Sequence, residues 1–181
     1  MTIATADDVL TFWRAAGEKK WFAKNDAFDA DIKSRFLDTY EAAAAGKLSD
    51  WEATPEDAVA LTIVLDQFPR NMFRRDARAF AADATARAVA DRALARGFDR
   101  QVPDELRMFF YLPLEHSETM ADQERCCALF KTLGNADLLH WAELHADIIR
   151  RFGRFPHRNA VLGRTTTPDE KTYLDNDGFA G

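Results

Sequence analysis

Apolar residues recur along the chain at helical rather than strand spacing. Val9, Phe12, Trp13 and Ala16 fall on one face of a first helix, which Thr5 with Asp8 can cap and Gly17 can end. Phe28, Ile32, Phe36 and Tyr40 make a second stripe, running from a start at Asp26 to a stop at Gly46. Thr54-Pro55-Glu56-Asp57 combines a cap, a first-position proline and first-turn acids. The run 58–65 behind it is apolar all round, which predicts a helix buried on most sides and interrupted at Pro69. Asp76 is expected to cap an alanine-rich helix reaching about Arg96. Residues 106–114 are again almost wholly apolar, until Pro113 kinks or breaks them. Thr119 and Asp122 open a helix with Gln123, Cys127, Phe130 and Leu133 on one face, and Gly134 closes it. The clearest stripe is Leu138, Trp141, Ala142, His145, Ile148, Ile149 and Phe152. Thr167-Pro168-Asp169-Glu170 caps a short last helix.

These signals predict an all-α fold of about seven to eight helices in a single domain over residues 1–181. Short connections make sequential helices antiparallel neighbours. Composition agrees, with 31 alanines against 6 valines and 5 isoleucines, because strands favour β-branched residues and helices favour alanine. No repeat of fixed period is present. No run of 18 apolar residues exists, and Met1 to Ala6 lack the features of a signal peptide. A cytoplasmic protein without a membrane partner is expected. Cys126 and Cys127 are adjacent, so no disulfide framework is expected and both are read as reduced packing residues.

The net charge of −6 argues against nucleic acid as a partner. The charge is uneven, however. Arg150, Arg151, Arg154, Arg158 and Arg164 fall within residues 150–164, which hold no acid. Such a segment suits acidic groups within the fold or a small anion. Two apolar segments also end in polar clusters. One runs into Asp66-Gln67-Phe68-Pro69-Arg70-Asn71, with Arg74 eight residues after Asp66; the other runs into Glu115-His116-Ser117-Glu118. An acid at a buried helix C-terminus opposes the helix dipole and needs a cation. A third segment, Arg154-Phe155-Pro156-His157-Arg158-Asn159 and then Arg164, supplies that charge and echoes Phe68-Pro69-Arg70-Asn71. Each proline restricts its preceding phenylalanine, which is expected to end a helix. The three segments are expected to converge, with Arg70, Arg154, Arg158 and Arg164 facing Asp66, Glu115 and Glu118, and with His116 and His157 among them.

The candidate ligand-binding set is therefore Asp66, Gln67, Arg70, Asn71, Arg74, Arg154, Arg158, Asn159 and Arg164. Candidates for acid–base work are Glu115, His116, Glu118 and His157. Ser117 lies in no strained nucleophile turn. His145 sits in an apolar stripe and reads as a core residue. His140 and His145 are five residues apart, which does not place two metal ligands on one face. No metal or cofactor motif is present.

Leu65-Asp66-Gln67-Phe68-Pro69-Arg70-Asn71, Tyr111-Leu112-Pro113-Leu114-Glu115-His116-Ser117-Glu118 and Arg151-Phe152-Gly153-Arg154-Phe155-Pro156-His157-Arg158-Asn159 follow in order, then Leu162-Gly163-Arg164 and Thr167-Pro168-Asp169-Glu170. On these motifs the chain resembles the bacterial domain-of-unknown-function family 924. It departs at Thr166, where serine is usual, and at Asp169, where glutamate is usual. The resemblance implies an antiparallel, tetratricopeptide-like array of helical hairpins and brings no assigned activity. Three functional readings stay open: a domain binding an anionic small molecule or acidic peptide end in the arginine- and histidine-lined site, a small hydrolase or transferase using a Glu/His pair, and a structural or interaction protein with a buried ion network. Oligomeric state is not legible.

Overall fold

The computed structural model describes residues 2–176 and 178–179; its regular elements are all helical, with no strand among the described residues. The chain divides into two compact units, residues 1–113 and residues 114–181.

The first unit is organised by one helix. It contains α1 (Ala6–Ala16), α2 (Glu18–Trp21), α3 (Asp26–Ala44), α4 (Pro55–Met72), α5 (Asp83–Ala95) and α6 (Asp104–Arg107), with short 3-10 turns between several of them. Helix α4 packs against α1, α3 and α5. Its residues from Ala58 to Leu65 are all buried, as the unbroken apolar run requires. Thr54 caps α4 by accepting from the Asp57 N–H, and Thr5 and Asp8 form the reciprocal box that opens α1. Helix α3 starts at Asp26 as expected, capped by Asn25, whose Oδ1 accepts from Phe28 N–H at 3.0 Å. Beneath α1, Trp13 stacks on Trp21 at 5.8 Å and meets Phe68 and Phe109 edge-on at 5.6 and 5.7 Å. The tryptophans at 13 and 21 thus belong to the core.

Two expectations fail in this unit. Helix α4 is not interrupted at Pro69 but continues to Met72, and Phe68 lies inside the helix. An interior proline costs about 3 kcal/mol. Burial of α4 against three other helices outweighs that cost, and the turn after the proline closes through Phe73 N–H to Pro69 O at 3.0 Å. Asp76, likewise, caps only the turn Ala77–Phe80, and the α-helix begins later, at Asp83. There Asp83 is a first-turn acid, favourable to the helix dipole, and a partner for Arg70 at 3.0 Å.

The apolar segment 106–114 breaks before Pro113 rather than at it: α6 ends at Arg107, a 3-10 turn spans Met108–Phe110, and Pro113, the last residue of the first unit, lies inside the one-turn helix α7 (Leu112–Glu115). The second unit contains α8 (Met120–Leu133), α9 (Ala136–Phe152) and α10 (Pro168–Asp175). Helices α8 and α9 pack together, joined through Gly134 in the left-handed region (φ 68°). The buried face of α8 is Gln123, Cys126 and Phe130, so Cys126 rather than Cys127 faces inward. Gln123 sets that rotation: its amide donates to the carbonyls of Glu115 and Ser117, each at 2.7 Å. On α9 the stripe holds for Ala142, His145, Ile148 and Ile149, whereas Trp141 is 48% exposed.

Candidate functional site

In the first unit the motif arginines meet carboxylates. Arg70 lies 3.2 Å from Asp66, one turn earlier on α4, and forks onto both oxygens of Asp83 at 3.0 and 3.2 Å. The amide of Gln67 donates to Asp66 Oδ2 at 2.6 Å. Asn71 and Arg74 both donate to Asp29, which sits in the first turn of α3. The Asp66, Arg70 pairing was legible from its four-residue spacing; Asp83 and Asp29 were not, because they arrive from other helices. The unit also buries Tyr111, whose hydroxyl donates to Asp99 at 2.8 Å. Burial and that bond push the phenol up to about 12.

In the second unit three polar groups form around the loop 153–167. Helix α9 ends at Phe152 with Gly153 left-handed, and Phe155 before Pro156 is extended (φ −87°, ψ 108°), as the proline demands. Phe155 N–H donates to Glu118 Oε1 at 2.8 Å, and Arg164 forks onto both Glu118 oxygens at 2.7 and 3.1 Å. Burial tends to raise the Glu118 carboxyl, but the Arg164 fork and the Phe155 N–H outweigh it and hold it below the usual range. An acid held ionised in this way is ill-suited to protonate a leaving group near neutral pH.

Arg154 forks onto Glu170 at 2.6 and 2.8 Å. Glu170 also accepts from Thr167 N–H at 2.7 Å and from Asn159 Nδ2 at 3.2 Å, so the cap of α10 and the arginine loop share one carboxylate. The Arg154 fork is the main reason the Glu170 carboxyl falls to about 2. An unfolded glutamate titrates near 4.3. The folded state is therefore favoured above that pH and loses this contribution as the pH falls towards about 2. Glu170→Gln should accordingly flatten the acid limb of stability between these two values, read as the urea midpoint at a series of pH values. An acid limb as steep as wild type would show that other carboxylates carry it.

The third group surrounds the Phe155 ring. The Arg158 guanidinium lies 4.4 Å over that ring and donates to His116 O at 3.1 Å. His145 and His157 each stand 5.6 Å from the same ring, and His116 stands 6.5 Å from His145. His145 Nδ1 lies 2.8 Å from Trp141 O and 3.4 Å from Glu115 Oε1. A carbonyl only accepts, so Nδ1 carries the proton. Glu115, Arg158 and His145 are all buried, at 5%, 5% and 6% exposed. Glu115 and His145 thus form a Glu/His contact, with His145 a residue read from sequence as core. Its signal in the sequence was a titratable side chain inside an apolar stripe. Among the described residues no group of three His, Cys, Asp or Glu is placed to hold a metal ion.

A separate groove of about 340 Å³ on the second unit, lined by His140, Glu143, Leu144, Asp147, Ile148, Arg151, Phe152 and Tyr173, includes only Arg151 and Phe152 from the sequence motifs. Among the described residues no helix is long and apolar enough to cross a membrane.

Residues 9–178 match the family described as "Bacterial protein of unknown function (DUF924)". The chain belongs to the DUF924 family. A solved structure of a protein of unknown function from Agrobacterium tumefaciens is similar to this DUF924 chain over 94% of its length and 97% of the other, at 49% identity and a TM-score of 0.92. No curated protein matches.

Proposed function

We propose that this DUF924 chain is a binding domain for a small anion or a carboxylate-bearing ligand, with its site in the Arg158 group of the second unit. What carries this reading is the gathering of a buried guanidinium and two imidazoles, His145 and His157, around the Phe155 ring, with His116 against His145. Guanidinium and imidazole N–H groups both donate to carboxylate and phosphate, and a guanidinium offers two parallel donors.

The other arginines proposed from sequence support a structural reading instead. Arg70, Arg74, Arg154 and Arg164 each meet a carboxylate of their own unit, so their charge is matched within the fold. Scaffold roles are accordingly proposed for these four, and the ligand role proposed for Arg158 rests on the aromatic and imidazole rings gathered beside it.

The test is a titration of inorganic phosphate, followed by the histidine ring resonances in NMR. Wild type is expected to show saturable shifts at His116, His145 and His157. Charge-assisted hydrogen bonds contribute about 1.5–3 kcal/mol, so Arg158→Gln should weaken binding at least about tenfold. Shifts that fail to saturate in wild type, or equal affinity in the variant, would reject the reading.

A further inference from the structure

Phe179 is placed against the same imidazoles. Its ring centroid lies 4.6 Å from His145 and 5.3 Å from His157, both close to edge-on (67° and 77°), and 6.4 Å from Trp141. Edge-to-face contact is a favoured arrangement of aromatic rings. The ring is only half-buried, so this slot opens to the surface. It also packs on the apolar cluster of Ile148, Ile149 and Phe155.

The backbone that delivers this ring is fitted to Tyr173. Gly178 N–H donates to Tyr173 O at 3.0 Å, and Phe179 N–H donates to the Tyr173 hydroxyl at 2.9 Å. A Cβ on residue 178 would stand 2.4 Å from Tyr173 O and 2.7 Å from its ring. Glycine is what allows the chain to lie this close. The position of Phe179 is therefore specified by a bonded turn at a residue that tolerates no side chain.

Two imidazoles link the pieces: His145 and His157 each meet both the Phe179 ring and the Phe155 ring, and Arg158 lies 4.4 Å over Phe155. A ring site beside a buried guanidinium suits a molecule carrying both an aromatic ring and a carboxylate. We infer that His145, His157 and Trp141 wall a recognition slot for an aromatic carboxylate, and that Phe179 occupies it in cis until such a ligand takes its place. The carboxylate half of this inference rests on the anion-binding reading of Arg158; the slot and its occupant rest on Phe179 alone. Two sources offer the chemistry, a free aromatic acid and a peptide ending in phenylalanine.

A tethered occupant competes at high effective concentration. The apparent affinity for an outside ligand falls by the fraction of molecules whose slot is open. If Phe179 fills the slot nine-tenths of the time or more, its removal tightens binding about tenfold or more.

The experiment uses the full chain as wild type, Phe179→Ala and Gly178→Ala, with folding checked by circular dichroism. Without ligand, both variants should shift the ring resonances of His145 and His157 while leaving His140, which meets Trp141 at 5.8 Å. N-acetyl-L-phenylalanine should then bind both variants about tenfold or more tighter than wild type, and N-acetyl-L-alanine should not. Acetyl-Ala-Ala-Phe with a free carboxylate, set against its amide, separates a peptide end from a free acid. Unmoved His145 and His157 resonances in the variants would overturn the placement of Phe179. Moved resonances without tighter binding of N-acetyl-L-phenylalanine would overturn the recognition slot and leave Phe179 as packing. Loss of phosphate binding as the only failure would overturn the anion reading of Arg158 while leaving the cis occupancy standing. Should Phe179→Ala fail to fold, Gly178→Ala keeps the ring, moves it from its seat, and decides the same question.

Discussion

Arg70→Ala is expected to lower the free energy of unfolding by about 3–5 kcal/mol, the usual cost of stranding buried charge. The guanidinium joins two acids from different helices. Asp66 and Asp83 expose only 1% and 12% of their side chains, and Arg70 exposes 19% of its own. It also donates to the Asp66 carbonyl at 2.7 Å and lies 5.7 Å from the Phe80 ring. Truncation therefore removes a bridge between α4 and the start of α5 and leaves two acids in a poorly hydrated place. An exposed ion pair would contribute about 0–1 kcal/mol, so the two cases are well separated. Urea unfolding measures the difference. Trp13, Trp21 and Trp51 all lie in residues 1–113, and Trp141 lies in the second unit. In a Trp141→Phe background, fluorescence then reports the first unit alone. Adding Asp83→Asn to Arg70→Ala should restore part of the loss, because one stranded charge disappears; the coupling follows from a double-mutant cycle. A loss below about 1 kcal/mol would show that the pair behaves as a surface pair.

What was legible in the sequence was local. The capping box at Thr5 and Asp8, the Thr54-Pro55 start and the Thr167 to Glu170 box all appear as read, because each is decided by residues three apart. The extended Phe155 is of the same kind, set by the proline beside it. The failures are decided by distant contacts. Phe68-Pro69 and Phe155-Pro156 look alike in sequence, yet one pair is helix interior and the other is loop. The difference is tertiary: α4 is packed on three other helices, and residue 155 lies beyond a glycine that has already ended α9. The candidate site divides in the same way. Arg70 with Asp66 follows from one helical turn, whereas Arg154 reaches Glu170 across 16 residues and a loop. Glu170 was visible as a helix cap but not as the partner of an arginine, because a capping pattern carries no information on what else the carboxylate meets. His145 shows that a buried histidine in an apolar stripe can be both core and part of a polar site.

Trp13→Ala should be as damaging as the loss of Arg70, through a different physical cause. Truncating a buried tryptophan costs about 3–5 kcal/mol, from lost transfer energy and from the cavity left behind. Trp13 has no exposed surface and touches the rings of Trp21, Phe28, Phe68 and Phe109 at 5.6–6.1 Å. These come from α2, α3, α4 and the turn after α6, so no single neighbour can move in to fill the space without leaving its own contacts. A second bond ties the site together, since Trp21 Nε1 donates to Trp13 O at 2.7 Å. That bond is to the backbone and survives truncation, which confines the loss to packing. Trp13→Phe keeps an aromatic ring and should recover much of the stability, whereas Trp13→Leu should recover less because it loses the stacked and edge-on contacts. Far-UV circular dichroism in urea measures all three variants without relying on the tryptophan removed. An unchanged slope with a lower midpoint would assign the change to stability alone. A Trp13→Ala loss below about 1 kcal/mol would mean that the four rings collapse into the cavity, and that the aromatic core of the first unit is fluid enough to repack.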